Sequence, residues 1–353
     1  MHISKRLFIS LMLIPQYLLV QLLKQYPALI ETYYSNGIYP YISGLMQQLF
    51  SWIPFTVGDV LYAIFIVAVF FNIYKQRHEF RRYPTKQILK ITQVISVLYF
   101  LFHVLWGLNY YRPSLHSKMN LEITYSNEDL IKTVNILLDQ TNTIHRELST
   151  NDSLMVTFKT DRKTMFNMTY KGYEVLKNTN TFKVHYLPKR VKASLLSLPL
   201  TYMGFSGYLN PFTHEAQVDD LMPLFNTPLT ASHEMAHQLG YAAENEANFI
   251  GFLAAVKHPD PVFNLSGYGF ALRYCLNELY YRDKAEFEAL YEQINPGVIK
   301  HFKAQSQFWA YYENPFEPLF KFTYSNYLKA NNQTKGIKSY NEVVALIVNY
   351  TLK

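Results

Sequence analysis

The sequence predicts an α+β protein in which three N-terminal transmembrane helices precede a mainly helical domain with a small sheet. Three observations carry this. Apolar stretches of membrane-crossing length are confined to the first third of the 353 residues. Helical periodicity dominates the remainder. Between residues 182 and 219 it gives way to short extended segments punctuated by proline and glycine, so helices flank a small sheet.

The apolar stretches cover 7–23, 57–73 and 91–108. Each is long enough, at ~1.5 Å per residue, to cross ~30 Å of hydrocarbon with little slack. No small-residue cleavage site follows the first stretch, so it reads as an uncleaved anchor rather than a signal peptide. Lys75, Arg77, Arg81, Arg82, Lys86 and Lys90 crowd into sixteen residues between the second and third stretches, and Lys5 and Arg6 precede the first. The segment between the first two stretches carries only Lys24. Cytoplasmic loops gather Lys and Arg, so residues 1–110 are expected to be a three-span anchor and 111–353 a domain outside the cytoplasm. The expected location is an integral protein of an inner or plasma membrane.

The net charge of +7 is therefore a topology signal facing a lipid bilayer, and no nucleic-acid partner is expected. With 49% hydrophobic and 17% charged residues, the composition excludes a disordered chain. A single cysteine, Cys275, excludes a disulfide framework and a cysteine zinc site, so any metal must be held by His, Asp or Glu. Gln93 and His103 fall in the third stretch and read as polar groups facing another helix, since no ionisable partner accompanies them.

Within 111–353, residues 127–148 have helical apolar spacing behind Ser126 as N-cap, and a second helix is expected over 161–176. Strands are expected at 182–187, 191–198 and 205–210, with an extended piece at 214–219. Helices are expected again beyond Thr230, notably 270–282, 285–294 and 340–352.

The last helical block opens with His233-Glu234-Met-Ala-His237-Gln-Leu-Gly240. On a helix, i and i+4 share a face, so both imidazoles can address one Zn2+ ion. Glu234 then stands beside the open coordination position, where a carboxylate can act as general base. A catalytic zinc needs a third protein ligand. After the Gly240 turn the chain offers Glu244 and Glu246 on an otherwise apolar helix, where acids are costly unless paired or metal-bound. Glu244 is favoured because Ala247 at +3 permits close helix packing and Asn248 at +4 can orient a ligand histidine. Glu246 is the alternative. Tyr268 and Tyr241 are candidate donors to a developing oxyanion, His214 and His258 read as surface or hydrogen-bonded histidines, and 210–215 reads as a turn at a cleft rim. The strands ahead of the motif offer an edge for an extended peptide.

Taken with Asn210-Pro-Phe-Thr213-His-Glu215-Ala216, Glu244-Asn-Glu-Ala-Asn-Phe249 and Tyr327-Leu-Lys-Ala-Asn331-Asn-Gln-Thr-Lys-Gly336-Ile-Lys-Ser-Tyr340, the motif resembles a family of bacterial membrane-anchored proteins of unknown function counted among the zincin-like metallopeptidases. The resemblance spans nearly the whole chain, the three spans included. It implies a zincin-like outer domain that binds zinc through His233, His237 and a downstream Glu, with Glu234 as base, and a peptide or protein as substrate. The Glu-x-x-Ala-Asn piece is similar to the third-ligand helix of gluzincins. Here only six residues separate His237 from Glu244, where gluzincins have a longer insertion, and the early glycine is more like the metzincin turn. The leading expectation is a membrane-anchored zinc peptidase. The alternatives are a non-catalytic zinc-binding protein with a structural or recognition role, and a receptor or transporter in which the motif is accidental.

Overall fold

The computed structural model describes residues 5–179, 184 and 186–353, leaving aside the side chains of 339–341. The chain forms two units: Met1–Pro113 with Asn210–Glu215, and Ser114–Leu209 with Ala216–Lys353. The α+β class expected from the sequence is what the structure shows.

The first unit contains α1 (Lys5–Leu23, with one irregular residue at Met12), α2 (Tyr39–Phe50), α3 (Val57–Arg82) and α4 (Pro84–Leu105). Of these, α1, α3 and α4 are long and apolar enough to cross a membrane. Leu18, Ile66, Phe70 and Val94 are exposed on them, as side chains are on surfaces that face lipid rather than protein. The basic cluster sits on the ends of α3 and α4 around the break at Tyr83, where Pro84 opens the next helix. Between α1 and α3 the chain is helical where no helix is expected, with a wide π-helical stretch over Ile30–Ile38. Glu31 in that stretch holds Arg112 through two hydrogen bonds of 2.7 and 2.9 Å. His103 and Gln93 lie in α4, and the buried His103 ring reaches the Tyr99 carbonyl at 3.0 Å.

The Asn210–Glu215 loop belongs to this unit. Glu215 caps α3, taking the Val57 and Gly58 amides at 3.1 and 2.6 Å, an anion at the positive end of a helix dipole. His214 is fully buried in a left-handed conformation, φ 54°, beside the Tyr39 ring. It is therefore a core histidine, and the loop is a capping device.

The second unit opens with α5 (Asn127–Leu148), whose start is set by a reciprocal capping box between Ser126 and Asp129. The helix expected over 161–176 is two, α6 (Arg162–Met168) and α7 (Tyr170–Lys177), parted at Thr169. The strand expected at 182–187 falls largely outside the described residues. That expected at 191–198 is short: β1 (Val191–Ala193) ends because Ser194 and Ser197 hydrogen-bond into a turn, at 3.0 and 2.7 Å, which starts α8 (Ser197–Met203). Next come β2 (Gly207–Leu209) and β3 (Ala216–Val218), in a sheet of order β1-β3-β2. β1 runs parallel to β3 with Val191 opposite Ala216, and β2 antiparallel with Gly207 opposite Val218.

The remaining helices are α9 (Thr227–Gln238), α10 (Glu244–Val256), α11 (Pro261–Arg282), α12 (Lys284–Tyr291), α13 (Pro296–Tyr312), α14 (Glu317–Ala330) and α15 (Val343–Thr351). The long helix α11 packs along α5, α10 lies between α9 and α11, and α9 also covers β2 and β3. One continuous apolar core, including Leu130, Val134, Met235, Phe249, Leu272 and Ile347, joins these elements.

Within this core His301 of α13 accepts the Val156 amide on Nε2 at 3.0 Å and stacks on Phe225, so its ring is neutral. Burial, reinforced by His145, pushes it down from 6.5 to about 4. The folded value lies below the unfolded one, so its contribution to stability is complete above about pH 6.5 and is lost as the pH falls toward 4. The unfolding temperature of the solubilised chain is expected to drop across that window. It should drop less in His301→Gln, whose amide oxygen still accepts the Val156 proton.

Candidate metal centre

α9 is buried along almost its whole length, which a helix tolerates only when its polar side chains find each other. His233 and His237 stand edge to face, ring centroids 4.7 Å apart, one helical turn from each other as the i, i+4 spacing requires. Ligand atoms of His233, Glu234 and His237 all lie within 4.8 Å of one another.

The helix ends where Gly240 adopts φ 82°, a left-handed conformation that a side chain would strain. The turn returns the chain so that the Tyr241 carbonyl meets His237 Nδ1 at 2.7 Å. A carbonyl can only accept, so Nδ1 carries a proton and Nε2 is the nitrogen left to face a metal. This is the tautomer a metal ligand needs.

The same turn delivers α10. Its first residue, Glu244, puts Oε2 at 3.3 Å from His233 Nε2 and 3.6 Å from His237 Nε2. Oε2 is buried against the two imidazoles, and Glu234 Oε2 is buried without a hydrogen-bond partner among the described residues. Oε1 of Glu244 is occupied, taking the Tyr324 hydroxyl of α14 at 2.6 Å. Gln333 caps the Glu244 amide at 3.2 Å. Asn248 is buried one turn further along α10. Glu246, the rival acid, points elsewhere and accepts the Leu115 amide at 2.6 Å.

α9 and α10 approach this closely because Gly251 has no side chain. A Cβ there would lie 2.8 Å from the His233 nitrogen and 2.9 Å from its Cα. On the other side of the motif is the edge strand β2, where a Cβ on Gly207 would lie 2.7 Å from Glu234 Oε1.

Burial raises an unpaired acid, and it pushes the Glu234 carboxyl up to about 8, against the pull of His237 and with a push from Glu244. Burial would raise Glu244 too, but the positive charge of His237 and the nearness of both imidazoles hold it well below the usual carboxylate range. His237 responds in kind: burial would lower it, and the Glu244 charge raises it to about 9.

The four residues read from the sequence as a metal site and its base thus meet in one place. The expected oxyanion donors are Tyr268 and Tyr241. Tyr268 packs edge-on against Phe252 in the core, and Tyr241 acts through its carbonyl. His258 is a buried, hydrogen-bonded histidine, with Nε2 at 3.0 Å from the Met168 carbonyl. Tyr324 and Gln333 escaped sequence reading because they lie 80 and 89 residues from Glu244. Gln333 does sit inside the 327–340 motif, which was the available signal.

Residues 34–348 match the model of a family described as a protein of unknown function, DUF3810. The chain belongs to this family. The match takes in the His233 to Glu244 cluster, the Gln333 cap and two of the three apolar helices. No curated protein and no solved structure matches the chain.

The helix crossing gives a direct test. Gly251→Ala forces a methyl group into the His233 backbone and is expected to cost about 1–3 kcal/mol, as overpacking does, read as a lower denaturation midpoint. Ala254→Gly on the same helix removes a methyl without that clash and serves as the comparison.

Proposed function

We propose that the protein is a membrane-anchored zinc-dependent peptidase, with His233, His237 and Glu244 as ligands and Glu234 as general base. The observation that carries this reading is the convergence on Glu244 Oε2, buried 3.3 and 3.6 Å from two imidazole nitrogens. Ligand atoms about 2.0–2.2 Å from a tetrahedral zinc stand roughly 3.3–3.6 Å from each other, and both distances from Glu244 to the imidazoles match edges of such a site. Zinc, when bound, polarises a carbonyl and brings the pKa of a water toward ~7.

The chain's own residues do the rest. The Tyr241 carbonyl keeps His237 in the ligating tautomer, and the Tyr324 hydroxyl fixes the Glu244 carboxylate so that one oxygen faces the imidazoles. Glu234 is held beside them with an oxygen that meets no hydrogen-bond partner among the described residues, and as a carboxylate it can take a proton and return it to a leaving amine. Its neighbour β2 is an edge strand. An extended peptide laid on that edge by strand addition would present its bonds to Glu234.

The positive-inside bias of the α3–α4 hairpin supports a domain on the outer side of a bacterial inner or plasma membrane. The near-complete burial of the four groups, none above 9% exposed, also suits a second reading, in which zinc has a structural role. A closed structural site normally has four protein ligands, and here the fourth neighbour is an acid placed as a base.

Metal analysis and a peptide-library cleavage assay on the full chain separate these readings. Wild type is expected to carry close to one zinc per chain and to cleave. Glu234→Gln should retain the zinc and lose roughly 10²–10⁴-fold in turnover, the usual worth of a general base. His233→Ala and Glu244→Ala should lose both. Zinc without cleavage in any variant would establish the structural role, and no zinc in wild type would end both readings.

A further inference from the structure

Apart from the candidate metal centre, the second unit holds a half-open cavity of about 540 Å³ where α11, α12 and α13 meet the Leu224–Asn226 turn. Its size lies in the range of roughly 300–1,000 Å³ typical of small-molecule sites. Phe225, Phe270, Tyr274, Phe287, Tyr291 and Phe302 supply much of its wall. Among the described residues, the charged ones lining it are two cations, Arg273 and Lys303, and no carboxylate.

Arg273 is half-buried. It donates to Gln305 and, at 2.9 Å, to Ser306, and its guanidinium lies 5.7 Å from the Phe302 ring centre. These contacts tie α11 to α13 but do not neutralise the charge. Among the described residues no acid is near enough to do so: burial lowers the guanidinium, and the groups opposing this are Tyr274 and Tyr291. A cation withdrawn from water without a counter-charge is costly. A guanidinium has five N–H donors in a planar fork that matches a carboxylate, and the two contacts above leave part of that fork available.

We propose that this cavity binds an amphipathic carboxylate, with an acyl or aromatic body against the ring wall and its head group on the Arg273 guanidinium. Lys303, exposed at the rim, adds a second positive charge for the approach. The cavity shares no residue with His233, Glu234, His237 or Glu244, so the proposal stands apart from the peptidase reading. The same head-group chemistry is offered by a free fatty acid and by the C-terminus of a peptide ending in an apolar residue.

The test is titration calorimetry on the full chain in lipid nanodiscs, with decanoate and N-acetylphenylalanine as probes and decanol and N-acetylphenylalanine amide as their uncharged counterparts. Saturable one-to-one binding of at least one carboxylate is expected, and the probe that binds identifies the source. Its uncharged counterpart should bind at least 10-fold more weakly. Arg273→Gln should weaken the carboxylate roughly 10- to 100-fold, as loss of a hydrogen bond to a charged group does. Lys303→Gln, on the surface and harmless to folding, should weaken it roughly two- to five-fold, as loss of an exposed charge does. The proposal is overturned if neither carboxylate saturates, or if binding is the same without the carboxylate or in both variants.

Discussion

The contact on which the site depends is the crossing of α9 and α10 at Gly251, where two helices meet closely enough for a backbone to lie against the backbone of His233. Helices with ordinary side chains at the contact sit 8–10 Å apart, and a side chain at Gly251 would push the start of α10, with Glu244, away from the imidazoles. With Gly251 at the contact and Gly240 reversing the chain, Glu244 Oε2 comes within 3.6 Å of both Nε2 atoms. Neither glycine belongs to the chemistry, yet the convergence of the three side chains follows from both.

Burial then sets the electrostatics. Three titratable groups and Glu234 share a volume with little solvent, so each charge is felt strongly by the others. The result is a carboxylate held ionised between two imidazoles and a second carboxyl pushed the other way. Tertiary contacts from distant parts of the chain finish the arrangement. Tyr324 takes the other oxygen of Glu244 and Gln333 caps its amide, and both lie in or just after α14, 80 and 89 residues along the chain.

Helix periodicity made α5 legible, and its Ser126 cap matched because a capping box is a local interaction written in four consecutive residues. The strand expected over 191–198 was cut to three residues because Ser194 and Ser197 turn the chain through their own side chains. Alternating apolar residues cannot reveal that competition. Residues 210–215 look like a turn from Asn-Pro alone. Their place in the first unit, with Glu215 on the amides of α3, comes from pairing across more than 150 positions.

By itself the sequence determined what repeats or acts locally: three stretches apolar enough to cross a membrane, the class of the remainder, and the i, i+4 spacing that puts His233 and His237 on one helical face. Between Glu244 and Glu246 it gave only a preference, from Ala247 and Asn248 at +3 and +4 of Glu244, and left Glu246 open. Only the tertiary structure decided that one faces the imidazoles while the other takes the Leu115 amide. The reason is physical: a helix fixes the angle between its own side chains, but which angle points at which neighbour is set by the packing of helices far apart in the chain.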